Sequence, residues 1–311
     1  SASQNIFDVE SAKHQKARLL AQEKTGTPVV LYNDGEKITH RFTDKLPITN
    51  FPLKTDDSKD APVVIYEFPI ESPPYGLYVA GVDPYRQGQS KYSDSLGSVY
   101  IYKRMHDLTG EKYQDMFVAS YCARPEKKEI WDEQARLLIK YYNARALVEN
   151  DEVSFIDYMI AKGDAHYLEK QPDWLKEVVP NTTVRRDYGI HRSAEKIRDF
   201  LHTCLKKYLE EPIFVEKDEN GNTIREILGV TKIFDPVLLE EIIQYNDEDN
   251  FDRVIAAELA IAQAMKMDPI FGKISSTKDS RMESLLKPKK RNVLFDNSKG
   301  LFTNNKNKLF R

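Results

Sequence analysis

The run LYVAGVD at residues 77–83 is apolar along its length until the final aspartate. A strand that rests one face on a core alternates apolar and polar residues. This one offers no face to water, so it belongs at the centre of a sheet covered on both sides. Its last residue, Asp83, then stands at the carboxyl end of a central strand, the edge where open α/β sheets present the groups that meet ligands.

Two further acids hold comparable positions. Glu149 ends the apolar run RALVE (145–149), and Asp252 lies in the first turn of the helix pattern NFDRVIAAELA (250–260). Neighbouring strands would bring Asp83 and Glu149 together, and a following helix would add Asp252. Three converging carboxylates do not stay ionised together without cations. A pair of Mg²⁺ or Mn²⁺ ions is the usual partner, and such a centre cleaves phosphodiesters. Each acid also has an ordinary alternative. Asp83-Pro84 can open a turn, Glu149 can cap its strand, and an acid in a first helical turn complements the helix dipole by ~0.3–1 kcal/mol.

With 311 residues, 41% hydrophobic and 31% charged, the chain can bury a sizeable core. No apolar run approaches the ~20 residues that span a bilayer, and the polar opening SASQNIFDVESAKHQ has no signal-peptide pattern. The two cysteines, Cys122 and Cys204, make neither a disulfide framework nor a metal-ligand spacing. Both sit in apolar patterns and read as buried free thiols of a reducing cytoplasm. The six histidines form no HxxxH or HxH pair, which argues against zinc. The net charge of −3 conceals an asymmetry: residues 287–311 hold eight Lys/Arg against one acid, +7, which leaves −10 on the rest. Such a basic tail suits a polyanion or an acidic protein face.

Residues 8–24 read as a helix closed by Gly26, and VVLY and KITHRF flank the Asn33-Asp34-Gly35-Glu36 turn as a hairpin. A polar stretch (54–62) leads to a strand VVIYEF (63–68). After LYVAGVD, SVYIYKR (98–104) and DMFVASYC (115–122) continue an antiparallel meander. Residues 126–142 form an amphipathic helix with Ile130, Ala135, Leu138 and Tyr142 near helical spacing. The strand RALVE, a helix over 153–161 and a weak strand HYLEK (166–170) follow. Ser193 is a candidate N-cap for a helix to about Leu209. IFVEK and TIREIL make a second hairpin, and Asp235-Pro236 caps a helix over 236–245. The last helix covers 250–266, and the polar, basic chain beyond it has little to bury.

This order matches an RNase H-like α/β fold: a mixed β-sheet flanked by helices, its first strand central, with a three-strand meander and then βα units. The expected organisation is an N-terminal helix and hairpin segment (1–70), a nuclease domain (71–270) and a disordered basic tail (271–311). Residues 77–266 resemble the nuclease domain of viral large terminase subunits, the DNA-packaging motors of tailed phages. The resemblance rests on AGVDPY, LVEND followed by a helix, RRDYGIHRSAEKIRDFL and, most specifically, DNFDRVIAAELAIA.

The resemblance implies an endonuclease that cuts concatemeric double-stranded DNA in the host cytoplasm during virion assembly, leaving 3′-OH and 5′-phosphate ends. Asp83 would bridge two Mg²⁺ or Mn²⁺ ions ~3.5–4 Å apart, with Glu149 and Asp252 each completing one shell. Asp94 and Asp151 are auxiliary ligand candidates. Arg185, Arg186, His191 and Arg192 flank a Tyr-Gly turn before a helix N-terminus, a setting for DNA phosphates; a solvated basic loop is the other reading. The portal protein and the small terminase subunit are the implied protein partners. The chain contains no GxxxxGK[ST] loop, so it reads as a nuclease without the motor's ATPase domain. Another RNase H-like nuclease of resolvase or transposase type, or a non-catalytic module that binds DNA or the portal, stays open on sequence.

The tail carries three Leu-Phe pairs, at 294–295, 301–302 and 309–310, which can dock on a partner or fold back on the domain. Its +7 charge predicts that deleting 287–311 weakens DNA binding mainly at low salt. A salt titration of binding should then show a flatter dependence of log affinity on log salt, with nicking intact at saturating DNA. Loss of the fold on truncation would make the tail structural.

Overall fold

Antiparallel pairing builds most of the sheet, and one parallel pair sets the position of the candidate acids. The computed structural model describes residues 5–54, 57–86, 95–105, 115–180, 187–246 and 249–267, all within the unit Ser1–Ser275. Asp94, Arg185, Arg186 and the basic tail lie outside the described residues. Strands β4 (Tyr78–Asp83), β5 (Gly97–Lys103) and β6 (Met116–Ala123) form the expected meander, and β7 (Arg145–Val148) lies parallel to β4. Beyond β6 come β3 (Val63–Ile65), β1 (Thr27–Asn33) and β2 (Ile38–Phe42), giving a seven-stranded mixed sheet in the order β2-β1-β3-β6-β5-β4-β7. The N-terminal hairpin is therefore part of the same sheet as the strand that carries Asp83.

Every residue of β4, β5 and β6 is buried, as strands without a polar face require. One face is covered by α2 (Lys128–Tyr141), whose Trp131 indole donates to the Gly97 carbonyl at 3.0 Å. The apolar stripe of this helix begins one residue later than the sequence pattern suggests. Ile130 is half exposed and Trp131 fully buried, because position 131 lies one turn before Ala135 on the same face. The other face is crossed by α7 (Asp252–Lys266), which packs on β4, β5 and β7. A Cβ at Gly81 would lie 1.8 Å from the Ala256 carbonyl oxygen and 2.6 Å from the Ala260 nitrogen. Glycine on the strand and alanines on the helix thus let two backbones touch. Helices α5 (Glu195–Glu210) and α6 (Pro236–Gln244) pack against α7, and α1 (Val9–Ala21) against α6.

The start of α7 is supplied by its neighbour. Asp235 caps α6 as its sequence announces, accepting from the amides of Val237 (2.8 Å) and Leu238 (3.3 Å), and the Tyr100 hydroxyl of β5 donates to its other oxygen. No side chain of its own caps α7, where Phe251 holds the N-cap position. Instead the buried Glu241 of α6 accepts from the amides of Arg253 (3.0 Å) and Val254 (3.1 Å) and pairs with the Arg253 guanidinium (3.0 Å). Those amides would otherwise be orphan donors at a buried helix end.

Two local expectations change. HYLEK is not a strand: a 3-10 turn covers Ala165–Tyr167, and only single bridges join Leu168 to Ala146 and Lys170 to Tyr188. Ser193 does not cap α5; Ala194 holds that position without a side-chain bond. The remaining elements are α3 (Ser154–Ala161), α4 (Leu175–Val178) and a separate hairpin of β8 (Pro212–Lys217) and β9 (Thr223–Leu228). Cys122 and Cys204 are free and buried, and burial pushes each thiol up to about 11. Among the described residues no helix is long and apolar enough to cross a membrane.

Because α7 rests on Gly81, Gly81→Ala should cost at least about 1–3 kcal/mol through overpacking. A urea titration reads this directly, and an unchanged midpoint would mean that the helix does not cross the strand this closely.

Candidate functional site

Parallel pairing places two of the three acids side by side. Val82 of β4 and Val148 of β7 are register partners, and the Glu149 amide donates to the Val82 carbonyl at 2.9 Å. Asp83 and Glu149 therefore leave adjacent strand ends together. Asp83 shares a face of β4 with Gly81 two residues before it, so it faces α7. Asp252 lies one helical turn before Ala256, the residue resting on Gly81, and this brings the third carboxylate to the same end of the sheet. All three predicted acids thus interact, Asp83 and Asp252 each only 6% exposed.

Their charges are not fully balanced. Burial holds the Asp83 carboxyl well above the usual range, and the charge of Glu149, a hydrogen bond to it and the charge of Asp252 all act in the same direction; Arg192 opposes them. Burial and like charge together make Asp83 costly to ionise, as expected of neighbouring carboxylates in low dielectric. Burial also pushes Asp252 up to about 6, against the Leu96 amide (2.6 Å), the Asn250 amide (3.1 Å) and the Ser95 hydroxyl (3.3 Å), all of which donate to it. These donors aim Asp252 while leaving it costly to ionise.

Arg192, expected among exposed phosphate-binding residues, is buried instead. Its Nη2 donates to Glu258 Oε1 at 2.5 Å, and its Nη1 lies 3.7 Å from Glu149 Oε1. Glu258, fully buried on α7, also accepts from His202 Nδ1 at 2.7 Å, and His202 Nε2 meets the Tyr245 hydroxyl at 2.8 Å. His191 pairs with Asp151, so the auxiliary acid is engaged by a side chain from the basic loop.

Sequence reading missed Glu258 and His202. Glu258 carried a signal, a lone acid between Ala257 and Leu259 in an apolar helix; His202 carried none. Among the described residues no three His, Cys, Asp or Glu side chains stand in an arrangement that holds a metal ion. Asp83, Glu149 and Asp252 supply the hard oxygen donors that Mg²⁺ and Mn²⁺ prefer, and their mutual repulsion is of the kind a divalent cation relieves.

The carboxyls give a pH dependence of definite sign. Asp83, Asp252 (about 6) and Glu241, which burial pushes up to about 7, bind protons more tightly folded than unfolded. Their contribution is present at low pH and is lost as pH rises through those values; Asp252 alone accounts for on the order of 1–3 kcal/mol. Asp83→Asn, a neutral near-isostere, should therefore melt higher than wild type at about pH 7.5 and fall less between about pH 5 and 7.5. A lower melting temperature for the variant at neutral pH would contradict a repulsive buried pair. Comparisons with protein-family models, curated proteins and solved structures found no match to this chain, so the reading of the site rests on its geometry and chemistry.

Proposed function

We propose that the chain is a metal-dependent DNA endonuclease with an RNase H-like core, of the kind found in the nuclease domain of viral large terminases. The observation that carries this reading is the meeting of Asp83 and Glu149 at equal register on adjacent parallel strands, with Asp252 added by the helix that rests on Gly81. The strand order β6-β5-β4-β7, an antiparallel meander followed by a parallel strand, supports the fold assignment. Asp83, Glu149 and Asp252 would hold two Mg²⁺ or Mn²⁺ ions, which when bound supply water activation and charge stabilisation at a phosphodiester.

The chain's own contribution is to prepare charge and direction. Asp83 and Glu149 leave adjacent strand ends together and so present their carboxyl oxygens side by side. Leu96, Ser95 and Asn250 hold Asp252 in one orientation, and Arg192 offsets the charge of Glu149. Double-stranded DNA would be bound through its phosphates, and the portal protein and small terminase subunit are the proposed assembly partners, in the host cytoplasm.

One observation favours a non-catalytic DNA- or portal-binding module: the three acids do not stand as a ready ligand set. Plasmid nicking separates the two readings. In Mn²⁺ the wild-type chain should nick supercoiled DNA, and folded Asp83→Asn and Asp252→Asn should lose more than the ~10–100-fold that removal of an outer-shell partner costs. Millimolar Mn²⁺ should also raise the wild-type melting temperature by mass action, and less so in Glu149→Gln. Full activity in folded Asp83→Asn would sink the assignment, and inactivity of the wild type would favour the binding module.

A further inference from the structure

Among the described residues Arg192 is the cation that pairs with Glu149, and its situation is unusual for a residue serving packing alone. It is 8% exposed and permanently charged. One nitrogen, Nη2, is tied to the fully buried Glu258 at 2.5 Å. Its approach to Glu149, 3.7 Å from Nη1, neutralises charge without making a hydrogen bond. The buried Nε has no hydrogen-bond partner among the described residues, so this pose does not satisfy the guanidinium. Arg192 also borders a cavity of about 410 Å³ whose lining includes Glu195, Asp199 and Asp249. The cavity is also lined by Arg198, and its three acids outnumber that cation, so room and negative charge lie beside Arg192 in a space that Glu149 does not line.

We propose that Arg192 is a place-holder cation: it occupies Glu149 in the metal-free chain, must give that carboxylate up to a divalent ion, and so sets the affinity of the site for that ion. This rests on the metal-binding reading of Asp83 and Glu149. It accounts for acids that converge without standing as a ligand set, since Glu149 is shared between Asp83 and Arg192. Glu258 is the anchor that restrains the guanidinium at 3.7 Å from Glu149. Removing the anchor alone and removing anchor and cation together should therefore have opposite effects on metal binding, which a merely structural role would not produce.

The test is calorimetric titration of MnCl₂ into the DNA-free full chain at neutral pH, with circular dichroism to confirm folding. Arg192→Met combined with Glu258→Gln removes the competing charge, does not leave Glu258 as an unpaired buried carboxylate and keeps an acceptor for His202. This double variant should bind Mn²⁺ roughly tenfold or more tightly than wild type. Glu258→Gln alone frees Arg192 to close on Glu149 and should bind more weakly, which gives a second measurement if the double variant does not fold. A folded double variant with unchanged or weaker affinity, or a Glu258→Gln variant that binds more tightly, overturns the place-holder while wild-type binding leaves the metal site standing. No binding by any chain overturns both, and binding by the double variant alone supports both.

Discussion

The contact between α7 and β4 at Gly81 governs where the acids of α7 stand relative to Asp83. A helix with ordinary side chains rides well above a sheet, its axis held off by the residues between them. Here the strand has no side chain at 81 and the helix has methyl groups at 256 and 260, so the two backbones come into contact. That approach pins the first turn of α7 beside the carboxyl end of β4. Asp83 and Asp252, distant in sequence, then share one small, poorly solvated volume. The helix holds this position because Glu241 supplies from α6 the cap that Phe251 cannot.

A second consequence is the distribution of buried charge. Glu241 with Arg253, and Glu258 with Arg192 and His202, are pairs in which each ionised group has hydrogen-bonded partners. Such pairs survive burial because breaking them would leave a charge without compensation. Asp83 is different. Its nearest charged neighbours are mostly of its own sign, and the single opposing group, Arg192, is committed first to Glu258. The fold thus tolerates one unrelieved cluster at the end of its central strands while the neighbouring buried acids Glu241 and Glu258 are each paired with an arginine. Stability given up locally in this way is common where a site must bind something the chain lacks.

The layered arrangement explains why two glycines of the central strands are so unlike in what they meet. Gly97 admits the Trp131 ring from α2 on one side of the sheet, and Gly81 admits the α7 backbone on the other. Both let a covering layer come closer than a β-carbon would allow. Only the Gly81 approach bears on the acids, because Asp83 shares its face. The Trp131 contact anchors the opposite layer and leaves the site untouched.

Much of this architecture was legible in the residue pattern. LYVAGVD had to be central because it has no polar face, Asp235-Pro236 had to open a helix, and hairpins were marked by Asn, Asp and Gly, with Gly35 and Gly221 at positive φ. The three acids were legible for the same reason: each sits where an apolar element ends or begins, so backbone direction alone carries it to the sheet edge. Pattern could not tell a solvated arginine from a buried one, and Arg192 was read as a surface cation because its sequence neighbours are polar. Its burial is decided by Glu258 and Glu149, 66 residues away on one side and on a different strand end on the other. Glu241 and His202 were invisible for the same reason. Local sequence determines backbone conformation through short-range sterics and periodic burial, whereas the pairing of buried charges depends on which elements the packing brings into contact, and only the tertiary structure decides that.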